Sequence, residues 1–311
     1  MEIARNPKTR SPFMRKLNKT KWGYLFVAPL MIGLAIFSAF PFFYGIAMSF
    51  FDISTSAITW NFVGFANYIE LFQDAVFWQS VKTMFIFLVP KLLINIFVPF
   101  IFAEIIFNLR NKKAAKAYRV LMLLPVVAPG VVGMLIWKSL YATDGLFNSF
   151  FSLFTSEPVT IDWLNCDTDT AKTIWAIILL GFPWVGGTNV LIYLSGLNSI
   201  NGEVYESAKL DGCSAWRRIF QIDMPLILGQ FRYFLIFGLI GGLQDYGIQM
   251  VLYDNAPDYV YVPGYYLYKM AYTNDRSGYA STIGVFLFVV ILIMTFFGNK
   301  LLSKDPTGGK A

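Results

Sequence analysis

The chain has 311 residues, 56% of them hydrophobic, 18% aromatic and only 14% charged, with a mean hydropathy of +0.55. An average soluble domain carries about 25% charged residues, so this composition suits a chain solvated largely by lipid. The net charge of +6 does not mark a nucleic-acid partner, because the basic residues cluster in short segments beside apolar runs.

Residues 1–21 form a basic segment, with Arg5, Lys8, Arg10, Arg15, Lys16, Lys19 and Lys21 against one acid, Glu2. A signal peptide would follow such a segment with a short apolar core and a small-residue cleavage site. The run 24–51 is instead long enough, at roughly 1.5 Å per residue, to cross a bilayer with tilt or a bend. Pro41 is placed to kink it, and it reads as an uncleaved first span. Five further runs lie at about 78–108, 118–141, 172–197, 226–252 and 279–302, each reaching the ~20 residues needed to cross ~30 Å of hydrocarbon. The expected fold class is an all-α polytopic membrane protein with six transmembrane helices over 22–303 and a tail at 304–311.

The intervening segments alternate in charge. Residues 52–76 carry Asp52, Glu70 and Asp74 without a base, and residues 142–171 carry Asp144, Glu157, Asp162, Asp167 and Asp169 without a base. Residues 109–119 carry Arg110, Lys112, Lys113, Lys116 and Arg119 without an acid. The 198–224 loop holds Lys209, Arg217 and Arg218, and the tail holds Lys300, Lys304 and Lys310. Basic loops stay cytoplasmic, so both termini are expected inside. Trp60, Trp78, Trp137, Tyr141, Trp163 and Trp175 fall near outer boundaries, and Trp22 and Tyr24 near an inner one, as interfacial anchors would.

Several chemistries are excluded. Cys166 and Cys213 fall on opposite faces of that topology and cannot pair within one chain. There is no histidine and no CxxC, which argues against a metal site and removes the commonest general base, so no catalytic residue is assigned. No GxxxxGK[ST] phosphate cradle is present.

The longest polar segment of the second half is Asn201–Pro225. Helix formers from Glu203 to Leu210 end at Asp211-Gly212, a second amphipathic turn follows with Trp216, Ile219 and Phe220, and Pro225 opens the next run. Glu206-Ser207-Ala208, three residues, Gly212, nine residues, Ile222-x-Met224-Pro225 resembles the EAA loop of ABC importer permeases. Tyr24 to Pro29, Phe62-Val63-Gly64-Phe65-x-Asn67-Tyr68 and Gly278-Tyr279-Ala280-Ser281 are similar to the carbohydrate-import permeases of the maltose type. Ser207 and Met224 depart mildly from the motif, and no outer loop is long enough for a separate periplasmic domain.

The resemblance implies a type I ABC importer permease fold in a bacterial cytoplasmic membrane, carrying a sugar. Glu206, Ser207, Ala208, Lys209, Leu210, Asp211 and Gly212 would form the coupling helix and its bend. Trp216, Ile219 and Phe220 would pin the following turn to the bundle. The implied partners are a second, different permease, two ATP-binding subunits that hold the ATP and Mg, and an extracytoplasmic solute-binding protein. This chain would need no cofactor of its own. A stand-alone secondary transporter or channel is the competing class, although no repeat relates residues 1–155 to 156–311. A polytopic membrane enzyme is a third class, without a catalytic constellation to support it.

Polar groups inside the runs are the remaining candidates, since charges near mid-span cost a few kcal/mol and usually face a bundle interior or wet cavity. Lys91 and Asn95 lie near the middle of the second run; Glu104 and Arg232 lie nearer the ends and could snorkel. Gln244, Asp245 and Gln249 sit among glycines in the fifth run and describe a polar groove wall. The resemblance implies that this run and the fourth, with Trp184 and Asn189, line the path of a sugar, which amides, carboxylates and aromatic faces can hold. A hydrogen-bonded helix contact at Asp245 and simple packing of Trp184 are the alternatives. The acidic, tyrosine-rich stretch 253–263 suits docking of a binding protein or an ordinary outer loop.

Overall fold

The computed structural model describes residues 12–302 apart from 55, 57, 58, 167 and 168, and side chains from residue 23 to residue 300. The basic side chains of 1–21, with Trp22, Asp167, Lys304 and Lys310, lie outside the described residues. Helix α1 (Pro12–Leu34) passes through a π-helical turn, Ala35–Ala39, into α2 (Phe40–Met48). The Phe40 N–H reaches back to the Ala35 carbonyl, so the disturbance expected at Pro41 takes the form of a π turn just before it.

Strands β1 (Phe51–Ser54) and β2 (Thr59–Phe62) pair antiparallel, with Phe51 opposite Phe62 and Ser54 opposite Thr59. This hairpin corrects the all-α expectation; its Phe, Ile and Trp residues are strand formers. The Asn67 amide donates to the Ser49 and Phe51 carbonyls and ties the hairpin to α3 (Ala66–Gln73). Asp74 then caps α4 (Ala75–Phe107) by accepting from the Val76 and Phe77 N–H groups.

The expected third run is two helices, α5 (Lys112–Val127) and α6 (Gly130–Leu140), bent by 85°. Ala128 precedes Pro129, whose ring disfavours a helical conformation there, and its ψ is 136°. After α7 (Leu146–Ser152), the fourth run also divides, into α8 (Thr170–Leu179) and α9 (Gly187–Ser199). Between them Gly181 has φ +88° and Trp184 has φ +55°. Next come α10 (Gly202–Leu210), α11 (Ala215–Arg218), a π turn at Ile219–Asp223, α12 (Met224–Leu226) and α13 (Leu228–Gln244), with a 69° bend before α13. The fifth run breaks again at Asp245–Tyr246 before α14 (Gly247–Leu252), and α15 (Pro263–Tyr268) and α16 (Ser277–Leu302) complete the chain.

Three uninterrupted helical stretches, Gly23–Met48, Ala75–Phe107 and Ser277–Lys300, are long and apolar enough to cross a membrane; the two bent pairs reach that standard together. The first stretch buries none of its most apolar window in this chain, and Phe26 and Phe37 are 85% and 81% exposed.

The buried apolar side chains form two clusters. One joins Leu71, Tyr141, Leu164, Tyr253, Val260 and Tyr279, from the acidic segments and the run ends beside them. The other joins Ala103, Ala115, Val190, Leu197 and Ile227, around the basic segments. Trp60, Trp78 and Trp175 are exposed as interfacial anchors would be, but Tyr141 is buried and donates to the Ala176 carbonyl. The 253–263 stretch is no free loop: Tyr253 and Tyr261 are buried, and the Tyr253 hydroxyl donates to the Leu164 carbonyl.

In the first acidic segment Asp74 also accepts from the hydroxyls of Tyr266 and Tyr279, each at 2.6 Å, joining α4, α15 and α16. Burial opposes its ionisation, but these hydroxyls and the two capping N–H groups outweigh it and hold the carboxyl below its usual range. A carboxylate whose pKa falls on folding contributes stability that is fully present above the ordinary value of 3.8 and is lost as pH drops through the lower folded value. Asp74→Asn is expected to cost about 1–2 kcal/mol at neutral pH, given the partial exposure of the site. The difference between wild type and variant should shrink below pH ~4, as read from thermal unfolding in detergent.

Candidate functional site

Two places concentrate polar chemistry. The first is a cavity of about 350 Å³ between α4 and α13, whose lining includes Lys91, Asn95, Gln244, Asp245 and Gln249. Gly238, Gly241 and Gly242 keep the α13 wall thin, and the helix ends at Asp245, whose ψ of 122° is extended. The Asp245 carboxylate accepts from the Gly247 N–H that opens α14 and stands 3.9 Å from the Lys91 ammonium. Both side chains keep solvent access, at 31% and 42%. The ammonium also lies 5.5 Å from the centre of the Phe87 ring. A neutralised but loosely closed pair beside an aromatic face can exchange its contacts for ligand hydroxyls.

The other expected wall residues divide. Asn189 on α9 donates to Asn95 at 3.0 Å and so stands at the cavity margin. Gln249 lines the cavity, but its amide is 2% exposed and is committed to the Val260 carbonyl. Trp184 lies outside the lining: its ring packs edge-on against Phe182, and its indole nitrogen is buried without a hydrogen-bond partner among the described residues. Lys91 and Asp245 were separate candidates in the sequence, and only the fold makes them a pair. Asp245→Asn leaves the half-buried ammonium without its counter-charge and is expected to cost about 1 kcal/mol of stability. The midpoint of thermal unfolding in detergent, compared with wild type, checks it.

The second place is the segment Asn201–Leu226. Asn201 caps α10 by accepting from the Glu203 N–H, with an acid in the first turn and Lys209 in the last, as the helix dipole favours. The helix closes with Gly212 donating to the Lys209 carbonyl and Cys213 to that of Ala208, with Gly212 at φ +68°. This matches the helix and bend expected from the sequence.

Glu206, Ser207, Lys209, Leu210 and Asp211 are exposed, and Leu210 is 89% so. Ala208 is turned inward and buried, so of the two small residues only Ser207 faces outward. Trp216 and Phe220 do not pin the next turn to the bundle. They stack on each other, interplanar angle 14°, and are 72% and 60% exposed. Ile219 alone of the three packs on the core. Leu210, Trp216 and Phe220 thus make the segment's apolar surface outward, as a docking site would.

What holds the segment is a cluster that sequence reasoning missed. The Arg218 guanidinium donates to Asp223 at 2.9 Å, to Glu104 at 3.1 Å and to Asn108 at 2.7 Å. Asp223 is fully buried and Glu104 is 5% exposed, so Glu104 does not snorkel. The Tyr205 hydroxyl donates to the other Asp223 oxygen at 2.9 Å. Burial first, then this bond and the carboxylate charge, push the phenol far above its ordinary pKa. The only signal in the sequence was two acids and an arginine too apolar in their surroundings to stand alone.

A family model described as binding-protein-dependent transport system inner membrane component matches residues 18–305. The lactose transport system permease protein LacF of Rhizobium radiobacter is 26% identical, over 88% of this chain and 91% of that protein. The arabinooligosaccharides transport system permease protein AraP of Bacillus subtilis is 26% identical, over 89% and 87%. Among solved structures, a bacterial alginate ABC transporter in complex with alginate pentasaccharide-bound periplasmic protein has a chain with the same fold. Its TM-score is 0.80 at 24% identity, over 96% of this chain and 99% of that one. The chain belongs to the family of binding-protein-dependent transport system inner membrane components.

Proposed function

We propose that the chain is one of two permease subunits of an ATP-driven importer that takes up an oligosaccharide or sugar derivative. The observation that carries the reading is the joint presence of family membership and an outward-facing helix–glycine–helix at 202–226. Relatives named for lactose and arabinooligosaccharide transport support a carbohydrate cargo. The chain crosses the membrane six times, with the breaks at 128–129, 180–186 and 245–246 inside its crossings. Irregular backbone at membrane depth is tolerated where it is covered by protein or lines a cavity, which is how Asp245 is placed. The basic segments, with both termini and α10, are cytoplasmic.

The partners are a different permease, two ATPases that hold ATP and Mg²⁺, and a solute-binding protein on the outer side. Glu206, Ser207, Lys209, Leu210 and Asp211 enter a groove of one ATPase, with Ala208 as the inward foot of the helix and Gly212 as its bend. ATPase closure displaces α10 and rocks the spans between two packed states. Lys91, Asn95, Gln244 and Asp245 face the passing sugar, Asn189 fixes Asn95, and Gln249 and Trp184 shape the walls. Uptake of a panel of labelled oligosaccharides by cells with and without the gene tests the reading. Loss of at least one sugar, restored by the gene, supports it; unchanged uptake of every member while another solute is lost contradicts the cargo.

A further inference from the structure

Helix α10 packs along no other helix among the described residues, and its buried side chain is Ala208 alone. Apart from its backbone links to α9 and α11, displacement of α10 therefore reaches the spans through a few side chains. The Tyr205 ring lies 5.7 Å from that of Phe107, at the end of α4, and 5.8 Å from the Arg218 guanidinium. Its hydroxyl holds Asp223, Asp223 holds Arg218, and Arg218 holds Glu104 on α4 and Asn108 just after its end.

We infer that Tyr205, Asp223, Arg218 and Glu104 form the strut through which motion of the coupling helix reaches the second span, with Arg218 as its positioning residue. The inference rests on the importer reading above and deepens it. Its charge count suits a switch. One guanidinium serves two buried carboxylates that face each other, and Glu104 Oε1 is buried with no hydrogen-bond partner among the described residues beyond its interaction with Asp223. A small shift of Asp223, pulled through Tyr205, re-weights the fork between the two acids without exposing either. An arginine is required because its planar fork reaches both acids and Asn108 at once, which a lysine ammonium cannot do. The stacked pair Trp216–Phe220 is left free for the partner, while the strut carries the displacement inward.

The test uses the complete importer in proteoliposomes, with sugar uptake and ATP hydrolysis measured together for Tyr205→Phe, Arg218→Lys and the double variant. Tyr205→Phe removes one hydroxyl and keeps the ring packing, so it separates transmission from folding. The expected result is that each single variant assembles and hydrolyses ATP with loaded binding protein. Sugar moved per ATP should fall at least roughly fivefold, the lower end of coupling between linked sites. The double variant should be no worse than the worse single, because both interrupt one path. An unchanged ratio, independent multiplication of the two losses, or reduced complex yield at an unchanged ratio would each overturn the strut. A wild-type chain that recruits no ATPase would instead remove the importer reading, and the strut with it.

Discussion

Replacing Gly212 with valine is expected to abolish uptake, by more than about tenfold, while the protein still reaches the membrane. Gly212 ends α10 at φ +68°, where an L residue pays about 1–2 kcal/mol and a β-branched one more. A Cβ at this position meets nothing within 4 Å, so there is no steric ground for misfolding. The strain is relieved by the chain leaving the left-handed conformation, which re-aims Glu206 to Leu210 relative to the bundle. Gly212→Asn provides the internal control, since asparagine visits that conformation routinely and should retain most uptake. Immunoblotting of membranes together with uptake rates separates the two effects. Normal uptake by Gly212→Val would show that the orientation of α10 does not matter.

Gly187→Ala should be more damaging to the fold than any change at the coupling bend. A Cβ there would stand 1.8 Å from the Met122 carbonyl oxygen and 2.6 Å from its carbon, both backbone atoms of α5. Neither can rotate away, so α5 and α9 must separate along their contact. Overpacking of this kind costs about 3 kcal/mol at the upper end, a large share of a typical folding free energy. The expected result is a sharp fall in detergent-extractable, monodisperse protein and a lowered midpoint on heating. Gly229→Ala on α13, whose Cβ would meet nothing within 4 Å, should behave as wild type in both measurements.

Much of the architecture was legible because lipid imposes a coarse code. A run of ~20 apolar residues between charged segments reads as a crossing whatever its details, and the runs that became α4 and α16 were placed within a few residues. The breaks were harder. Pro129 after Ala128 was a written signal that the hydropathy of its neighbours masked. The turn at 180–186 depends on positive φ at Trp184, a residue that gives no warning of it. The β1–β2 hairpin begins at the last residue of the first apolar run, Phe51, and lies otherwise in the acidic segment after it, which was read for its charge.

At the coupling segment the helix and its glycine bend were local and therefore readable, whereas the faces were not. Aromatic spacing placed Trp216 and Phe220 on the bundle, yet an arginine took that role because Glu104 and Asn108 arrive from 114 and 110 residues away. Likewise Lys91 and Asp245 are polar exceptions in two different runs, and their pairing exists only once α4 and α13 pack.

The central claim, that this chain is driven by separate ATPases through α10, is tested most directly by purifying the tagged chain from its native membrane in mild detergent and identifying what accompanies it by mass spectrometry. The account predicts a P-loop ATPase and a second, different permease with its own coupling segment, the ATPase being lost when Gly212 and Leu210 are replaced together. Recovery of this chain alone, or only with copies of itself, under conditions that keep other importers intact, would contradict it and favour a stand-alone transporter.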